Sequence, residues 1–324
     1  MTTIKACILA AGEGKRLAPL TETRPKPIIQ IGGKPLLQHT IEMVKECGVT
    51  DILLVVGYLK EQIHACFKDG SELGVKLTYI EQTEFLGTAH ATNLAKEFTG
   101  QDNLLLIYGD LFMDVGVFKK AIKIFTENRI DGVITAINVE DPTKFGILKT
   151  SAAGFLEEII EKPSDNRFGS LANAGVYLFT SAIFDGISAT EKSPRGEYEL
   201  TESIQRNIGK GLKHQVVDIS EFYWSDVGHP WQLLDANHHI LKKLSDEMNL
   251  NESSPHIINH GGIIEPFVTT HGLLSLGKNS IIKSGCYIEG PVIIGENTII
   301  GPNAYLRPFS SIGNDCKVGN ACEI

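Results

Sequence analysis

From residue 276 to the last residue an aliphatic side chain recurs at every sixth place: Leu276, Ile282, Ile288, Ile294, Ile300, Leu306, Ile312, Val318 and Ile324. An α-helix repeats about every 3.6 residues and a strand about every 2, so neither fits. A triangular β-solenoid does, each six-residue unit supplying one short strand and one corner. Four places beyond most of these positions stands a small residue, namely Cys286, Val292, Thr298, Ala304, Ser310, Cys316 or Cys322. Gly277, Gly295, Gly301, Gly313 and Gly319 directly follow the aliphatic position. The aliphatic points into the prism, the small residue fits beside it, and glycine eases the corner. The repeat breaks off at Ile324. An uncovered solenoid end exposes core and strand edges, so the expectation is a truncated chain, with cover by a neighbouring subunit as the alternative.

Upstream of about residue 250 the texture differs. Short apolar runs at 5–9, 51–56, 76–80, 104–107 and 132–137 read as buried strands. Helical spacing lies between them at 36–47, 61–67, 89–98 and 118–128. This alternation predicts an α/β layer fold with a mixed, mostly parallel sheet, whose ligands sit beyond the carboxyl ends of the strands. Residues 230–248 read as one more helix with Pro230 near its first turn, and 251–255 as a linker. The expected division is residues 1–240, a helix and linker at 241–257, and the solenoid at 258–324.

A net charge of −9 without a long basic run argues against nucleic-acid binding. Six cysteines without a Cys-x-x-Cys pair argue against a zinc or redox centre and fit a cytoplasmic protein with reduced thiols. The apolar segment at 6–11 is too short for a signal peptide, and no apolar run reaches membrane-spanning length, so no membrane partner is expected.

Residues 9 to 27 read LAAGEGKRLAPLTETRPKP. A strand running into Ala10-Ala-Gly-Glu-Gly14 can form an anion-binding nest of backbone N–H groups. No Walker string is present, and Leu17 stands where a dinucleotide fingerprint needs its third glycine. What remains is a phosphate loop followed by cations. Arg16 offers a planar fork, and Lys26 is held between Pro25 and Pro27. The plainer alternative is a solvated surface turn with ordinary cations.

This stretch resembles the signature of the nucleoside-diphosphate-sugar pyrophosphorylases, or sugar-1-phosphate nucleotidylyltransferases. Further matches follow in family order: Glu81-Gln-Thr-Glu-Phe-Leu-Gly-Thr-Ala-His-Ala91, Tyr108-Gly-Asp110, Phe145-Gly146, Glu161-Lys-Pro163, Asn173-Ala-Gly175, Arg195-Gly-Glu-Tyr-Glu-Leu-Thr201 and Trp224-Ser-Asp-Val-Gly228. The resemblance covers about residues 4 to 240. The tail resembles the left-handed parallel β-helix of hexapeptide repeats found on archaeal and bacterial bifunctional members, which also acetylate an amino sugar. Gly-Thr-Ala-His-Ala and Tyr-Gly-Asp lean towards uridylyltransferases, and Pro-Lys-Pro towards thymidylyltransferases.

The resemblance implies a Rossmann-like domain that transfers a nucleoside monophosphate from UTP or dTTP to glucose-1-phosphate or N-acetylglucosamine-1-phosphate. Arg16, Lys26, Asp110 and Asp226 would be catalytic, the two aspartates binding Mg2+. Leu9, Ala11, Gly12, Gly14, Lys15, Arg16, Gln82, Gly87 and Thr88 would bind the nucleotide. Tyr108, Gly146, Glu161, Lys162, Asn173 and Arg195 would bind the sugar phosphate. His90 and Trp224 read as packing residues. The family's β-helix implies a homo-oligomer, a trimer favoured. The alternatives are a non-catalytic regulatory subunit that binds sugar nucleotides, or the first part of a uridylyltransferase/acetyltransferase.

Overall fold

The computed structural model describes residues 3–248 and 254–324; positions 251–253 of the expected linker lie outside them. The chain forms two compact units, residues 1–28 with 37–226 and residues 29–36 with 227–324. The helix at 230–247, which the expected boundary at 240 would divide, lies whole in the second unit.

The first unit is built on a nine-stranded sheet. Its strands are β1 (Ile4–Ala10), β2 (Asp51–Val56), β3 (Lys76–Glu81), β4 (Asn103–Tyr108), β5 (Gly132–Asn138), β6 (Gly146–Thr150), β7 (Leu156–Glu161), β8 (Leu171–Phe179) and β9 (His214–Asp218). β3, β2, β1 and β4 lie side by side and parallel. β1, β2 and β4 carry near-continuous apolar runs because helices cover both faces of such strands. Ile8, Leu53, Leu54, Leu105 and Leu106 are fully buried. β8 pairs antiparallel to β4 and β5, and β9 runs parallel to β5.

Helices α1 (Leu36–Glu46) and α2 (Lys60–Phe67) match the sequence reading. The helix expected at 89–98 is two: α3 (Thr88–Asn93) and α4 (Lys96–Thr99). The break comes at the fully buried Ala95, whose N–H bonds to Thr92 O at 3.0 Å in a tighter turn. α5 (Val115–Glu127) begins three residues before the predicted start at Phe118.

β8 is irregular where the site forms. Its register with β5 shifts between Asn173 and Tyr177. The buried Thr135 of β5 fills the gap: its hydroxyl donates to Val176 O at 2.8 Å and accepts the Val176 N–H at 3.3 Å. Gly175 takes a φ of 78°, where a side chain would meet Leu111 and Tyr108.

In the second unit, strands stack in parallel at a step of eighteen residues: Ile263 on Ile281 on Ile299, Leu274 on Val292 on Ser310, Thr269 on Tyr287 on Tyr305. Eighteen is three hexads, so each coil has three sides, as the period of six predicts. Leu276, Ile282, Ile288, Ile300 and Leu306 are fully buried, whereas Ile324 is 44% exposed. The small positions do more than fill space. Thr298 donates to Gly313 O at 2.8 Å and accepts the Cys316 N–H at 3.0 Å, tying one coil to the next. A Gly32–Gly33 turn joins Gln30–Ile31 to Lys34–Pro35, a hairpin the sequence reading did not identify. Asn237, on the helix at 230–247, accepts the Gly32 N–H at 2.9 Å, accepts Ser311 Oγ at 2.7 Å and donates to Phe309 O at 2.7 Å. Among the described residues no helix is long and apolar enough to cross a membrane.

Candidate active site

β1 and β4 end side by side, with Leu9 opposite Tyr108. The Gly109 N–H then bonds to Leu9 O at 2.9 Å. A Cβ at Gly109 would lie 2.6 Å from that oxygen, so the chain crosses here only as glycine. Asp110 follows at the carboxyl edge of the sheet, where an α/β fold presents its ligands.

The loop after β1 runs through Ala11, Gly12 and Gly14 into a short turn at Lys15–Leu17. Gly14 has a φ of 67°, and a Cβ there would press on Lys26 Cβ at 3.1 Å. Gly12 has nothing within 4 Å of its Cβ position, which leaves room at the backbone. Lys26 sits in the turn Lys26–Ile28, closed by the Ile28 N–H to Pro25 O at 3.1 Å. The lysine is only 6% exposed. Its Nζ is 3.1 Å from Asp110 Oδ2 and donates to Asp226 O at 3.4 Å. Three residues far apart in sequence thus meet around one ammonium.

Asp110 and Asp226 also line a cavity of about 740 Å³, together with Arg16, Thr88 and Tyr108. Its other end holds Gly146, Glu161, Lys162, Asn173 and Arg195. A Cβ on Gly146 would approach Glu161 Oε2 to 3.0 Å. Lys162 takes a φ of 44°, unusual for a residue with a side chain, and its N–H is held by Phe145 O at 3.0 Å. Burial first, and the Glu199 charge second, push the Glu161 carboxyl above its ordinary range. Asn173 Nδ2 donates to the Tyr177 hydroxyl at 2.6 Å, which donates to the Tyr108 hydroxyl at 3.1 Å. Burial raises the Tyr108 phenol to about 12, so both rings stay neutral and fixed.

The remaining candidates, Thr88 apart, do not line this cavity. Gln82 is buried at the end of β3, its N–H on Val56 O at 2.8 Å. Gly87 has a φ of 110°, and a Cβ there would meet Tyr198 O at 2.5 Å. Thr88 Oγ1 accepts the Leu200 N–H at 2.9 Å, stitching this segment to the start of helix α7 (Leu200–Gly209), the next long helix after a short α6 (Ile183–Ser188). Leu9 and Ala11 contribute backbone carbonyls to the fold, accepting from Gly109 and Tyr58. Lys15 turns to solvent, its side chain 84% exposed and paired with Glu13 at 2.9 Å.

Several lining residues were not singled out as such, among them Leu111, Thr143, Lys144, Trp224 and Glu199. Trp224, expected to be core, packs against the core but also lines the cavity, its Nε1 donating to Ala174 O at 2.9 Å. Glu199 is 7% exposed yet reaches the cavity wall. Its only sequence signal is its place beside Arg195 in a motif already noted. His90 lies half-buried in α3, and its Nδ1 has no partner among the described residues. Among those residues no group of three or more His, Cys, Asp or Glu could hold a metal by itself.

A family model described as nucleotidyl transferase matches residues 5–243. The chain belongs to the nucleotidyl transferase family. A second model, bacterial transferase hexapeptide (six repeats), matches residues 275–308 of this nucleotidyltransferase. It is 33% identical over 316 residues to a glucose-1-phosphate thymidylyltransferase of Streptomyces antibioticus, covering 97% of this chain and 84% of the relative. It is 37% identical over 268 residues to the bifunctional protein GlmU of Methanococcus maripaludis, covering 81% of this chain and 62% of that one. A crystal structure described as a glucose-1-phosphate thymidylyltransferase from Bacillus anthracis, in complex with a sucrose, superposes with a TM-score of 0.67 at 30% identity. That match covers 72% of this chain and 94% of the other. A UDP-glucose pyrophosphorylase shares the fold at a TM-score of 0.67 and 22% identity, over 75% of this chain and 100% of the other.

Proposed function

We propose that this nucleotidyltransferase transfers a nucleoside monophosphate from UTP or dTTP to a sugar-1-phosphate, glucose-1-phosphate or N-acetylglucosamine-1-phosphate, releasing pyrophosphate. The observation that carries the reading is the buried Lys26 ammonium, fixed against Asp110 and Asp226 where they line the cavity. The names of the relatives support the substrate class.

In this reaction a sugar-phosphate oxygen attacks the α-phosphorus and pyrophosphate leaves. The protein must align two anions and stabilise charge added at the α-phosphate. A desolvated, prefixed ammonium suits charge that grows only in the transition state, because it needs no reorganisation. Arg16, Gly12 and Gly14 would hold the triphosphate, with Leu9, Ala11, Lys15 and Thr88 around it. Gln82 and Gly87 would meet the base. Glu161 and Asn173 would take sugar hydroxyls, Gly146 would admit the ring, and Lys162 and Arg195 would take its phosphate. Tyr108, braced by Tyr177, would form the floor between them.

Asp110 and Asp226 suit Mg2+, which prefers a few hard carboxylate oxygens plus substrate phosphates to a full protein cage. When bound, Mg2+ neutralises triphosphate charge and orients the α-phosphate. Lys26 Nζ, 3.1 Å from Asp110 Oδ2, holds that carboxylate in place at the cavity wall.

A cytoplasmic protein with reduced thiols is part of the proposal, as is a homo-oligomer, trimer favoured, formed through the β-helix; light scattering tests the assembly. The chain spans 56–62% of the GlmU relatives, and acetyl transfer is not part of the proposal. The reaction is tested by pyrophosphate release in Mg2+ from four triphosphates crossed with three sugar phosphates. Release with UTP or dTTP is expected. Binding without release for every pair would overturn catalysis in favour of a regulatory role.

A further inference from the structure

We infer that Glu199 is a positioning residue for the sugar-phosphate end of the site, holding the Arg195 guanidinium in the orientation that receives the substrate. The inference rests on the reaction proposed above.

Glu199 Oε1 accepts from Arg195 Nη2 at 2.5 Å, from Arg195 Nε at 3.2 Å and from Ser193 Oγ at 3.3 Å. Arg195 also lies near Glu161 at 3.8 Å and Glu197 at 3.9 Å. Of these three carboxylates only Glu199 is within hydrogen-bond reach, so it decides where the fork points. One edge of the guanidinium is then taken, and Nη1 is left to face a phosphate oxygen.

The position of Glu199 argues against a purely structural role. It is the residue before helix α7, and its carboxylate makes no capping bond to that helix. A 7%-exposed carboxylate costs stability unless it is paired. Here the pairing goes to a half-exposed arginine on a tight loop, closed by the Ser193 N–H to Glu197 O at 2.8 Å and by the Lys192–Tyr198 bridge. The pair also stands between spaces: the 740 Å³ cavity and a second one of about 500 Å³ share Glu161, Arg195, Glu199 and Thr201 in their walls. A guanidinium left unanchored there could swing into either.

Glu161 adds a second handle. Its carboxyl is raised by burial and by Glu199, while Lys162, Arg195 and the Thr201 hydroxyl act the other way. Removing the Glu199 charge lets Glu161 ionise at lower pH.

The test compares Glu199→Gln, Glu199→Ala and Arg195→Ala with wild type, once wild type has been seen to release pyrophosphate. Glu199→Gln keeps the shape and the Oε1 acceptor. Its KM for sugar-1-phosphate is expected to rise about tenfold, from loss of the charge that strengthens the Arg195 bonds, with kcat and the nucleotide KM within about twofold. The acid limb of kcat/KM for the sugar phosphate moves to lower pH. The Glu199→Ala, Arg195→Ala double variant is no worse than Arg195→Ala. An unchanged KM and acid limb in Glu199→Gln, additive losses in the double variant, or a general loss of stability with both KM values altered would each overturn the inference. Wild-type inactivity would overturn the reaction instead. Equilibrium binding of glucose-1-phosphate to wild type and Glu199→Gln then reads the positioning role, and equal affinities would overturn it.

Discussion

In the β-helix, residues with left-handed backbone recur at equivalent corners. Asn279, Asn297 and Asp315 stand eighteen residues apart with φ of 59°, 53° and 55°, and Asn279 Nδ2 donates to Asn297 Oδ1 at 3.2 Å. In the α/β unit positive-φ residues keep no such spacing, and four of them, Gly14, Gly87, Lys162 and Gly175, are candidate site residues or line the cavity. Repetition makes any one corner dispensable, because coils above and below hold the same turn. The singular positions have no such support, and each fixes a close approach to a particular neighbour: Lys26 at Gly14, Tyr198 at Gly87, Phe145 at Lys162 and Tyr108 at Gly175. The expectation is that changes at the singular positions show in function, and changes in the repeated unit, if at all, in stability.

The largest expected effect lies in the α/β unit. Lys26→Ala lowers kcat about 10²- to 10³-fold while nucleotide affinity changes much less, as for loss of a donor used in the transition state. Steady-state pyrophosphate release and nucleotide binding check this; equal losses in both would mean uniform binding. In the β-helix, Ile288→Ala removes a fully buried side chain and costs about 2–5 kcal/mol in thermal or denaturant unfolding. At temperatures where the variant stays folded, kcat is unchanged; a matching loss of kcat would break the contrast between the units.

Acid separates them next. His214 is buried against Gly132 and Phe179, and neither ring nitrogen has a partner among the described residues. Burial lowers its pKa to about 4 from the ordinary 6.5. Its neutral form contributes stability that is fully present above pH 6.5 and lost as pH falls towards 4. The α/β unit thus loses roughly 1–3 kcal/mol over that window, and the aliphatic core of the β-helix much less. Melting curves at stepped pH test the order, and His214→Phe flattens the profile. The smallest effects come from a matched pair. Asn297→Gly leaves stability within about 0.5 kcal/mol, since both residues accept this backbone. Lys162→Gly stabilises by up to about 1 kcal/mol yet raises the KM for sugar phosphate; gain without that loss would show the strain at 162 to be idle.

The solenoid was legible because one constraint is repeated nine times, and the parallel strands because burial on both faces leaves unbroken apolar runs. β6 to β9 were not read as strands. β7, for example, places Glu157 and Glu158 between Leu156 and Ile159, and β8 is interrupted at Ala174–Gly175. The Asp110–Asp226–Lys26 meeting was implied by the family motif and needed the fold to bring it about. Glu199 escaped because a glutamate four residues from an arginine reads as a surface pair; its burial is a tertiary fact. Lys15 reads as one more loop cation beside Arg16, and only the turn at Lys15–Leu17 sends it outward.

The eighteen-residue step carries one more implication. Although the composition of the tail repeats in sixes, its architecture counts in whole turns. Duplicating three hexads would lengthen the prism and leave every outward face in place. Deleting a single hexad would still keep each aliphatic inside, but it would rotate everything downstream by one side. Phe309 and Ser311 would then no longer present themselves to Asn237. The interior is blind to such a change, and the exterior is not.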